Sequence, residues 1–416
     1  MEHQTNVVAL SDVLADAGTM TAMRQRGPIH PVLLPTGASA WLVVGHQEVM
    51  AALADTRLSV AGMRESGALD GGKLRPDQRD AMLKGLTNVD PPDHTRLRRL
   101  VSGVFTARRI EALRPRIGRH IDDLIAGFAG NGQVELMTEF AAPLPMLVLC
   151  ELLGVPQADR QPFGAWSRAI LAGIGTPDFP VDTAEQFTDY LRDLIADKRQ
   201  RPDDGLLSAM VQARDEKDKL SEDELTSMAF LMIVAGHETT VSLIGNGMYL
   251  LMSQPDQARK LRADPGLLPG AIEEFLRLEP PVPLATIRAA VSPIDIGGTT
   301  VAPGEMVVLN LQSANRDESQ FANADQLDLG RSGGRHLTFG HGIHYCLGAP
   351  LGRLECELAV GTLLRRFPDL RLAVPAAELT WSQGLFVHRM ETLPLVFDRQ
   401  TAGDRAGHSD PVGSTL

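Results

Sequence analysis

The sequence is poor in cysteine and in aromatic residues, and it has no excess of basic charge. Its three cysteines among 416 residues, Cys150, Cys346 and Cys356, do not make a disulfide framework, so a reducing cytoplasm suits the chain. A formal net charge of −12 argues against a nucleic-acid partner. The first thirty residues contain no long apolar run. We therefore expect neither a signal peptide nor a membrane anchor.

The chain has 416 residues, of which 44% are hydrophobic, and this length allows two average domains or one large one. From Ala107 to about Gln200 the pattern predicts helix after helix, and strand signals are nearly absent. Short apolar runs predict a strand at 40–44 and a short sheet built from 294–296 and 306–309. Residues 399–416 are polar and contain glycine and proline, so we expect this tail to be disordered.

One stretch, Phe339–Gly348, reads F-G-H-G-I-H-Y-C-L-G. A strong helix signal follows it, with Pro350 in the first turn and a stop before Pro368. Cys346 therefore lies just before a helix N-terminus, where free N–H groups and the helix dipole favour a thiolate. The glycines of the stretch allow tight turns and let a flat ligand lie close to the backbone. Phe339 can limit the access of water to the sulfur.

Two other interpretations of Cys346 stay open at this point. A lone cysteine is usually a small buried hydrophobe. His336, His341 and His344 are close to Cys346 in sequence and could form a zinc site with it, although their spacing does not pair as it does in structural zinc sites.

A long helix is predicted from Ser221 to about Met252. Ser221 and Glu224 have the spacing of a capping box, and apolar positions nearly all round indicate a buried helix. At 1.5 Å per residue this helix would span roughly 45–50 Å. Its middle, 235–240, reads A-G-H-E-T-T, and a glycine, an acid and two threonines are poor choices for a buried helix interior. The functional interpretation is a groove for a small molecule, and the alternative is a kink with satisfied hydroxyls.

Two shorter motifs carry charge. The motif H-x-x-x-R puts His94 and Arg98 on one helix face, with Arg96 and Arg99 on roughly the opposite side. The alternative interpretation of this run is a solvated basic helix. The motif E-x-x-R at 274–277 places an acid and a base three residues apart, where they can pair.

Together these motifs resemble those of the cytochrome P450 family, the haem-thiolate monooxygenases. The cysteine stretch fills every fixed position of the family pattern F-G-x-G-x-H-x-C-x-G, and A-G-x-E-T, E-x-x-R and H-x-x-x-R also occur in the family's order. The resemblance covers about residues 30–398. It implies a mainly α fold with small β-sheets and a single domain over 1–398, followed by the tail at 399–416. Haem b would lie between the helix at 221–252 and the helix after Cys346.

The resemblance also implies roles for individual residues. Cys346 is the axial iron ligand, Glu238 is the acid that passes protons inward, and Thr239 is the hydroxyl that serves oxygen activation. The implied haem contacts are His94, Arg98, Arg288 and His344 for the propionates, together with Phe339, Gly340, Gly348 and Ala235. The implied structural ion pair is that of Glu274 and Arg277, with Arg331 as its third member. His237 receives no role, because its position is variable in the family pattern.

An apolar substrate pocket is expected near two further segments. Its predicted lining is Val282, Leu284, Ala285, Leu385, Phe386 and Val387. The alternative interpretation of these residues is ordinary hydrophobic core.

The implied activity is insertion of one atom of O2 into an apolar small molecule, by hydroxylation or epoxidation. The chain looks like bacterial enzymes that tailor macrolides, other polyketides, terpenoids or steroids. It contains no flavin or iron–sulfur motif, so electrons would come from a ferredoxin and its NAD(P)H-dependent reductase. Arg96 and Arg99 are the candidate docking residues for an acidic ferredoxin. We expect a cytoplasmic monomer. An H2O2-using peroxygenase and a non-catalytic haem sensor remain as alternatives.

Overall fold

The computed structural model of the protein describes residues 8–15, 17–62, 73–103, 105–173, 178–215, 220–382 and 387–399. Most of these residues form helices, and the strands are short, so the predicted mainly α class is confirmed. Two residues of the predicted substrate pocket, Leu385 and Phe386, lie outside the described residues, as does the tail after residue 399.

Helices occur along the whole described chain, and they dominate its first half, as the sequence predicts. The helices are α1 (Leu10–Ala15), α2 (Ala17–Arg26), α3 (His46–Ala54), α4 (Pro76–Leu83), α5 (Asp93–Ser102), α6 (Ala107–Glu111), α7 (Arg114–Phe128), α8 (Pro143–Leu153), α9 (Arg160–Gly173), α10 (Val181–Gln200), α11 (Leu206–Asp215), α12 (Glu222–Gly236), α13 (Glu238–Met252), α14 (Pro255–Ala263), α15 (Leu268–Leu278), α16 (Leu311–Ala314) and α17 (Ala349–Arg366). A π-helical turn at Met137–Ala141 precedes α8.

Three small sheets form in the described part of the chain. The strands are β1 (Val8–Ala9), β2 (Ile29–Leu33), β3 (Ser39–Val43), β4 (Leu58–Ser59), β5 (Gln133–Glu135), β6 (Arg288–Ala290), β7 (Ile294–Ile296), β8 (Thr299–Val301), β9 (Met306–Leu309), β10 (Arg371–Leu372) and β11 (Pro394–Val396). The strand orders are β1-β2-β3-β9-β6-β4, β10-β11-β5 and β7-β8. The sequence pattern does not predict β2 or β5, which are fixed by pairing with partner strands. The expectation of one short sheet built from 294–296 and 306–309 is wrong, because β7 pairs with β8, whereas β9 pairs with β3 and β6.

The predicted long helix is present as two helices separated by His237. The capping box at its start is formed: Glu224 N–H donates to Ser221 Oγ at 3.1 Å, and Ser221 N–H donates to Glu224 Oε2 at 2.8 Å. At the break, the His237 carbonyl accepts from the N–H groups of both Thr240 and Val241, each at 3.1 Å. The expectation of one continuous helix is therefore wrong at the A-G-H-E-T-T motif. The hydroxyls of Thr239 and Thr240 bond back to carbonyls of the preceding turn, which accompanies the distortion.

Helix α13 lies at the centre of the largest hydrophobic core and packs against α15 and α17. Its Gly247 permits a close approach, because a Cβ at that position would stand 2.6 Å from Cδ2 of Phe275 on α15. Among the residues that the structure describes, one run, Glu222–Met252, is long and apolar enough to cross a membrane by length and composition. Since 67% of its apolar window is buried inside the protein, core packing accounts for that composition.

A buried ion pair joins α15 to the segment that precedes the cysteine stretch. Glu274 is 3% exposed and Arg277 is 2% exposed, and they form two hydrogen bonds at 2.7 and 2.8 Å. Arg331 Nε donates to Glu274 Oε1 at 2.9 Å, so the structure brings the expected third member to the pair. Arg277 also donates to the carbonyl of Asn315, whose side-chain oxygen accepts from Leu337 N–H at 2.7 Å. The pair therefore supports the residues that lead into the cysteine stretch.

Candidate functional site

A cavity of about 350 Å³ lies between the central helices and the cysteine stretch. Ala235, Gly236 and Thr239 line it from the helices, and Cys346 lines it from the stretch. Most of its lining is apolar, as is usual for a small-molecule site. The cavity therefore brings together the two motifs that are more than one hundred residues apart in sequence.

The cysteine stretch is closed by its own backbone. Cys346 N–H donates to the Phe339 carbonyl at 2.8 Å, and Gly340 N–H donates to the Leu337 carbonyl at 2.7 Å. Gly340 and Gly342 have φ values of +73° and +72°, which favour glycine because it has no Cβ. At Gly342 a Cβ would also stand 3.0 Å from the Cα of Ala54. The stretch thus holds the cysteine in a defined turn packed on the end of α3.

Cys346 has accessible surface, and this surface faces the cavity that the residue lines. Burial away from bulk water raises the pKa of the Cys346 thiol, while the N–H groups of Gly348 and Ala349 and the charge of Arg98 oppose this effect. The expected stabilisation of a thiolate by the helix start is therefore present, but burial outweighs it. A metal ion at the sulfur would displace the thiol proton.

A cover of charged and aromatic side chains lies over Phe339. The Arg353 guanidinium stands 4.4 Å from the centroid of the Phe339 ring. Glu273 holds that guanidinium in two hydrogen bonds at 2.6 and 2.8 Å, and its carboxylate also contacts His336 at 3.1 Å. Neither Glu273 nor Arg353 belongs to a motif that is visible in the sequence. His336 is thus engaged with a carboxylate, and among the described residues no three metal-binding side chains cluster.

Four basic side chains converge at one side of the cavity: His94, Arg98, Arg288 and His344. The rings of His94 and His344 are 4.3 Å apart between centroids. Burial lowers the pKa of His94, and burial together with the charges of its neighbours lowers the pKa of His344 to about 4. Burial likewise lowers the pKa of Arg288 to about 10. In each case Asp90, and for Arg288 also Asp55, raises the pKa, but the cost of burying the charged form outweighs this effect.

Unpaired polar atoms in this cluster test whether haem fits. His94 is 2% exposed, and neither of its ring nitrogens has a hydrogen-bond partner among the described residues. Arg288 Nε is also buried without a partner in the described part of the chain, although Nη1 donates to the carbonyls of Ala52 and Leu53 at 3.0 Å. Buried donors of this kind require acceptors. The two propionates of a haem would supply them, next to a sulfur that can bind the iron.

The acid and the alcohol of the central motif face different surroundings. Thr239 lines the cavity, and its hydroxyl donates to the Ala235 carbonyl. Glu238 is 9% exposed and does not belong to the described cavity wall. Its Oε1 lies 3.4 Å from His237 Nδ1, and its Oε2 lies 3.6 Å from Arg389 Nε. The sequence pattern predicts neither of these two neighbours of the acid.

The predicted substrate lining is present in part. Val282, Leu284 and Ala285 line the cavity. Val387 is absent from the described cavity wall, and its carbonyl accepts from the Ser382 hydroxyl at 3.0 Å.

The two arginines expected on the outer face of α5 differ. Arg96 is partly buried and donates to Glu224, at the start of α12, and to Asp93. Arg96 is therefore already paired within the protein, and this side chain ties two helices together. Arg99 is exposed and forms no ion pair with any described residue, so it remains available for a partner.

The sequence and the fold both match known proteins. The chain matches the family model described as Cytochrome P450 over residues 178–265 and 266–372. It is 42% identical over 395 residues to Cytochrome P450 107B1 of Saccharopolyspora erythraea, which covers 94% of this chain and 97% of that protein. It is 43% identical over 399 residues to Cytochrome P450 monooxygenase PikC of Streptomyces venezuelae, covering 94% and 93%. The tirandamycin C-bound structure of the P450 monooxygenase TamI superposes with a TM-score of 0.86 at 41% identity, covering 94% of this chain and 100% of that one.

Proposed function

The chain belongs to the cytochrome P450 family, and from that premise we propose that it is a monooxygenase in which Cys346 binds haem iron and which hydroxylates or epoxidises an apolar small molecule, a secondary metabolite. Membership of the family and the shared fold imply haem held through a cysteine thiolate. One observation carries the assignment of residues: a single cavity is lined by the Cys346 sulfur, by Thr239 and by four basic side chains.

The residues of the cavity would have separate roles in binding haem and in excluding water. Bound haem supplies O2 activation, and its thiolate ligand favours cleavage of the O–O bond. His94, Arg98, Arg288 and His344 would hold the two propionates by charge-assisted hydrogen bonds. The ring of Phe339, under the guanidinium of Arg353, shields the sulfur side of the site from water.

Proton delivery would depend on the central motif. Thr239 presents its hydroxyl to the cavity, and Glu238 lies one residue before it as the acid. A hydroxyl that now bonds to the Ala235 carbonyl can turn toward the cavity, because that carbonyl belongs to the distorted turn of the helix. The pair would place protons where the oxygen is reduced and so keep reducing equivalents from leaving as hydrogen peroxide.

Replacing Thr239 with alanine should uncouple the reaction. Positioned acid–base groups contribute about 10²–10⁴-fold to proton-transfer steps, so we expect at least about a tenfold fall in product formed per NAD(P)H consumed. Peroxide should rise in proportion. The measurement is parallel quantification of product, peroxide and NAD(P)H. Thr239→Ser keeps the hydroxyl and serves as the control. Coupling that is the same in Thr239→Ala and in the unaltered enzyme would contradict the role of the hydroxyl.

Replacing Arg98 with leucine should weaken haem binding. A hydrogen bond to a charged group contributes about 1.5–3 kcal/mol, so haem should dissociate about 10- to 100-fold faster. Transfer of haem to an excess of a haem-free acceptor protein measures this rate. Arg99→Leu is the matched control, because Arg99 is the exposed neighbour on the same helix. Equal rates for the two variants would show that Arg98 does not hold a propionate.

The electron donor is proposed to be a ferredoxin, reduced by an NAD(P)H-dependent reductase. The sequence contains no motif for a flavin or an iron–sulfur cluster of its own. Arg99 stays as a candidate contact for an acidic donor, while Arg96 is withdrawn from that role because it pairs with Glu224 and Asp93. Turnover that needs only H2O2 would favour a peroxygenase instead.

The substrate class is proposed from the cavity and from the relatives. The cavity wall contributed by Val282, Leu284 and Ala285 is apolar. Relatives include a mycinamicin IV hydroxylase/epoxidase, a vitamin D(3) 25-hydroxylase and a 6-deoxyerythronolide B hydroxylase. Titration of the oxidised enzyme with macrolides, linear polyketides, terpenoids and steroids, followed by the haem absorption spectrum, tests this class. If none of these compounds changed the spectrum, the proposed substrate class would be overturned.

A further inference from the structure

His237, at the break between α12 and α13, has a defined hydrogen-bonding state. The residue is 1% exposed. Its Nε2 lies 3.1 Å from the Ala142 carbonyl, which belongs to the turn before α8. Because a carbonyl oxygen only accepts, Nε2 must carry a hydrogen. In the neutral ring the other nitrogen, Nδ1, is then unprotonated.

The unprotonated nitrogen faces the acid of the central motif. Nδ1 lies 3.4 Å from Glu238 Oε1 and has no hydrogen-bond partner among the described residues. A nitrogen lone pair beside an ionised carboxylate is unfavourable, and one proton placed between the two atoms turns repulsion into a hydrogen bond. The geometry therefore favours holding one proton between His237 and Glu238.

The charges around this pair also favour a shared proton over a free imidazolium. Burial lowers the pKa of His237, Glu238 raises it, and the positive charges of Arg168 on α9 and Arg389 lower it. Arg389 is fixed in place by its neighbours, because Asn246 on α13 accepts from Met390 N–H and donates to the His388 carbonyl. The ring is consequently neutral near pH 7 and is able to accept a proton only where the carboxylate is present.

We propose that His237 is a positioning residue for proton delivery, whose Nδ1 shares a proton with Glu238 Oε1 and so keeps the acid supplied. The inference rests on the proposed role of Glu238. The shared proton is carried by Oε1 of Glu238 and is hydrogen-bonded to Nδ1 of the neutral ring. When the carboxyl gives this proton toward the cavity, the Oε1–H bond breaks and Glu238 is left as the carboxylate. A proton from water then enters between Nδ1 and Oε1 and the Oε1–H bond forms again, while Nε2–H stays on the Ala142 carbonyl throughout.

Two substitutions separate this role from simple pinning of the helix. In His237→Gln the amide nitrogen takes the place of Nε2 and can still donate to Ala142, but no titratable nitrogen faces Glu238. In His237→Asn the amide lies near the place of Nδ1, and the bond to Ala142 is lost. If His237 only pins the helix, His237→Gln should behave as the unaltered enzyme and His237→Asn should be the impaired variant. Proton sharing predicts that His237→Gln is impaired.

The first measurement does not depend on turnover. The imidazole nitrogen signals of His237 in the reduced carbon monoxide complex of the holoenzyme are followed by NMR against pH, and His237→Gln assigns them. Glu238→Gln should move the midpoint of the His237 titration at least about one pH unit lower, because coupled groups titrate as a pair. Arg389→Leu should move it higher. The signals of His30, which contacts the carbonyls of Met23 and Gly27, should be the same in all variants. If the midpoint of the His237 titration were the same in Glu238→Gln as in the unaltered enzyme, the proposal would be overturned, even if His237→Gln does not fold.

The second measurement uses turnover. His237→Gln should lower product formed per NAD(P)H by about tenfold and increase the solvent isotope effect, while the affinity for substrate stays the same because His237 does not belong to the described cavity wall. Normal coupling in His237→Gln, with impaired coupling in Glu238→Gln, would overturn the inference alone. Normal coupling in Glu238→Gln would instead contradict the proposed role of the acid.

Discussion

Cys346→Ser is expected to remove monooxygenase activity and the strongly red-shifted absorption of the reduced carbon monoxide complex. A thiolate is the ligand that gives both properties, and a serine hydroxyl at the same place is a far weaker donor to iron. Because the stretch is closed by the backbone bond from Cys346 N–H to Phe339, which does not involve the side chain, the turn should persist in the variant. The fall in turnover should therefore reflect the ligand and not unfolding.

The matched control for this prediction is Cys356→Ala. Cys356 is fully buried on α17 and does not belong to the described cavity wall, so its sulfur does not face the site. This variant should keep both the absorption band and the activity. Reduced, carbon monoxide-treated spectra and product assays on the two variants provide the measurement. A normal red-shifted band in Cys346→Ser would contradict the assignment of the iron ligand.

The largest loss of stability is expected from Glu274→Gln. This change keeps the shape of the side chain but leaves the Arg277 guanidinium, 2% exposed, without its charged partner. Removing one member of a buried pair costs about 3–5 kcal/mol, because the remaining charge stays buried and unpaired. Arg277 also supports Asn315, and through it Leu337, so haem should be lost from the variant as it unfolds.

Urea unfolding followed by circular dichroism measures the free energy of unfolding, and haem absorbance followed in the same titration reports the loss of cofactor. Asp256→Asn is the control, because Asp256 pairs with Arg259 on the surface, where both side chains are more than two-thirds exposed. That pair should contribute less than about 1 kcal/mol. Similar effects of the two amide substitutions would show that the buried pair does not stabilise the fold as we infer.

The parts of the site that could be predicted from sequence are those encoded in a short stretch. The turn around Cys346 needs glycine at positive φ and a helix start directly after it, and both are visible within ten or so residues. The capping box of Ser221 and Glu224 is local in the same way. The pair of Glu274 and Arg277 lies within one helix turn, so spacing alone brings its members together.

The parts that could not be predicted depend on packing between distant segments. Glu273 and Arg353 are 80 residues apart, and their contact exists because α15 packs against α17. His237 and Ala142 are 95 residues apart, and no pattern in the central motif indicates their hydrogen bond. The same reason explains why the pairing of Arg96 could not be predicted, since its partner Glu224 lies 128 residues away.

The bridge from Glu273 to Arg353 has a consequence for behaviour in acid. Burial alone would raise the pKa of Glu273, but its hydrogen bonds to Arg353 and His336 lower that pKa to about 2. A carboxylate whose pKa is lowered in the folded state stabilises it fully above the ordinary value of about 4.5, and this contribution disappears as the pH falls toward 2. The guanidinium therefore stays over Phe339 throughout mildly acidic conditions, and the sulfur side of the site keeps its cover at pH values where most surface carboxylates begin to take up protons.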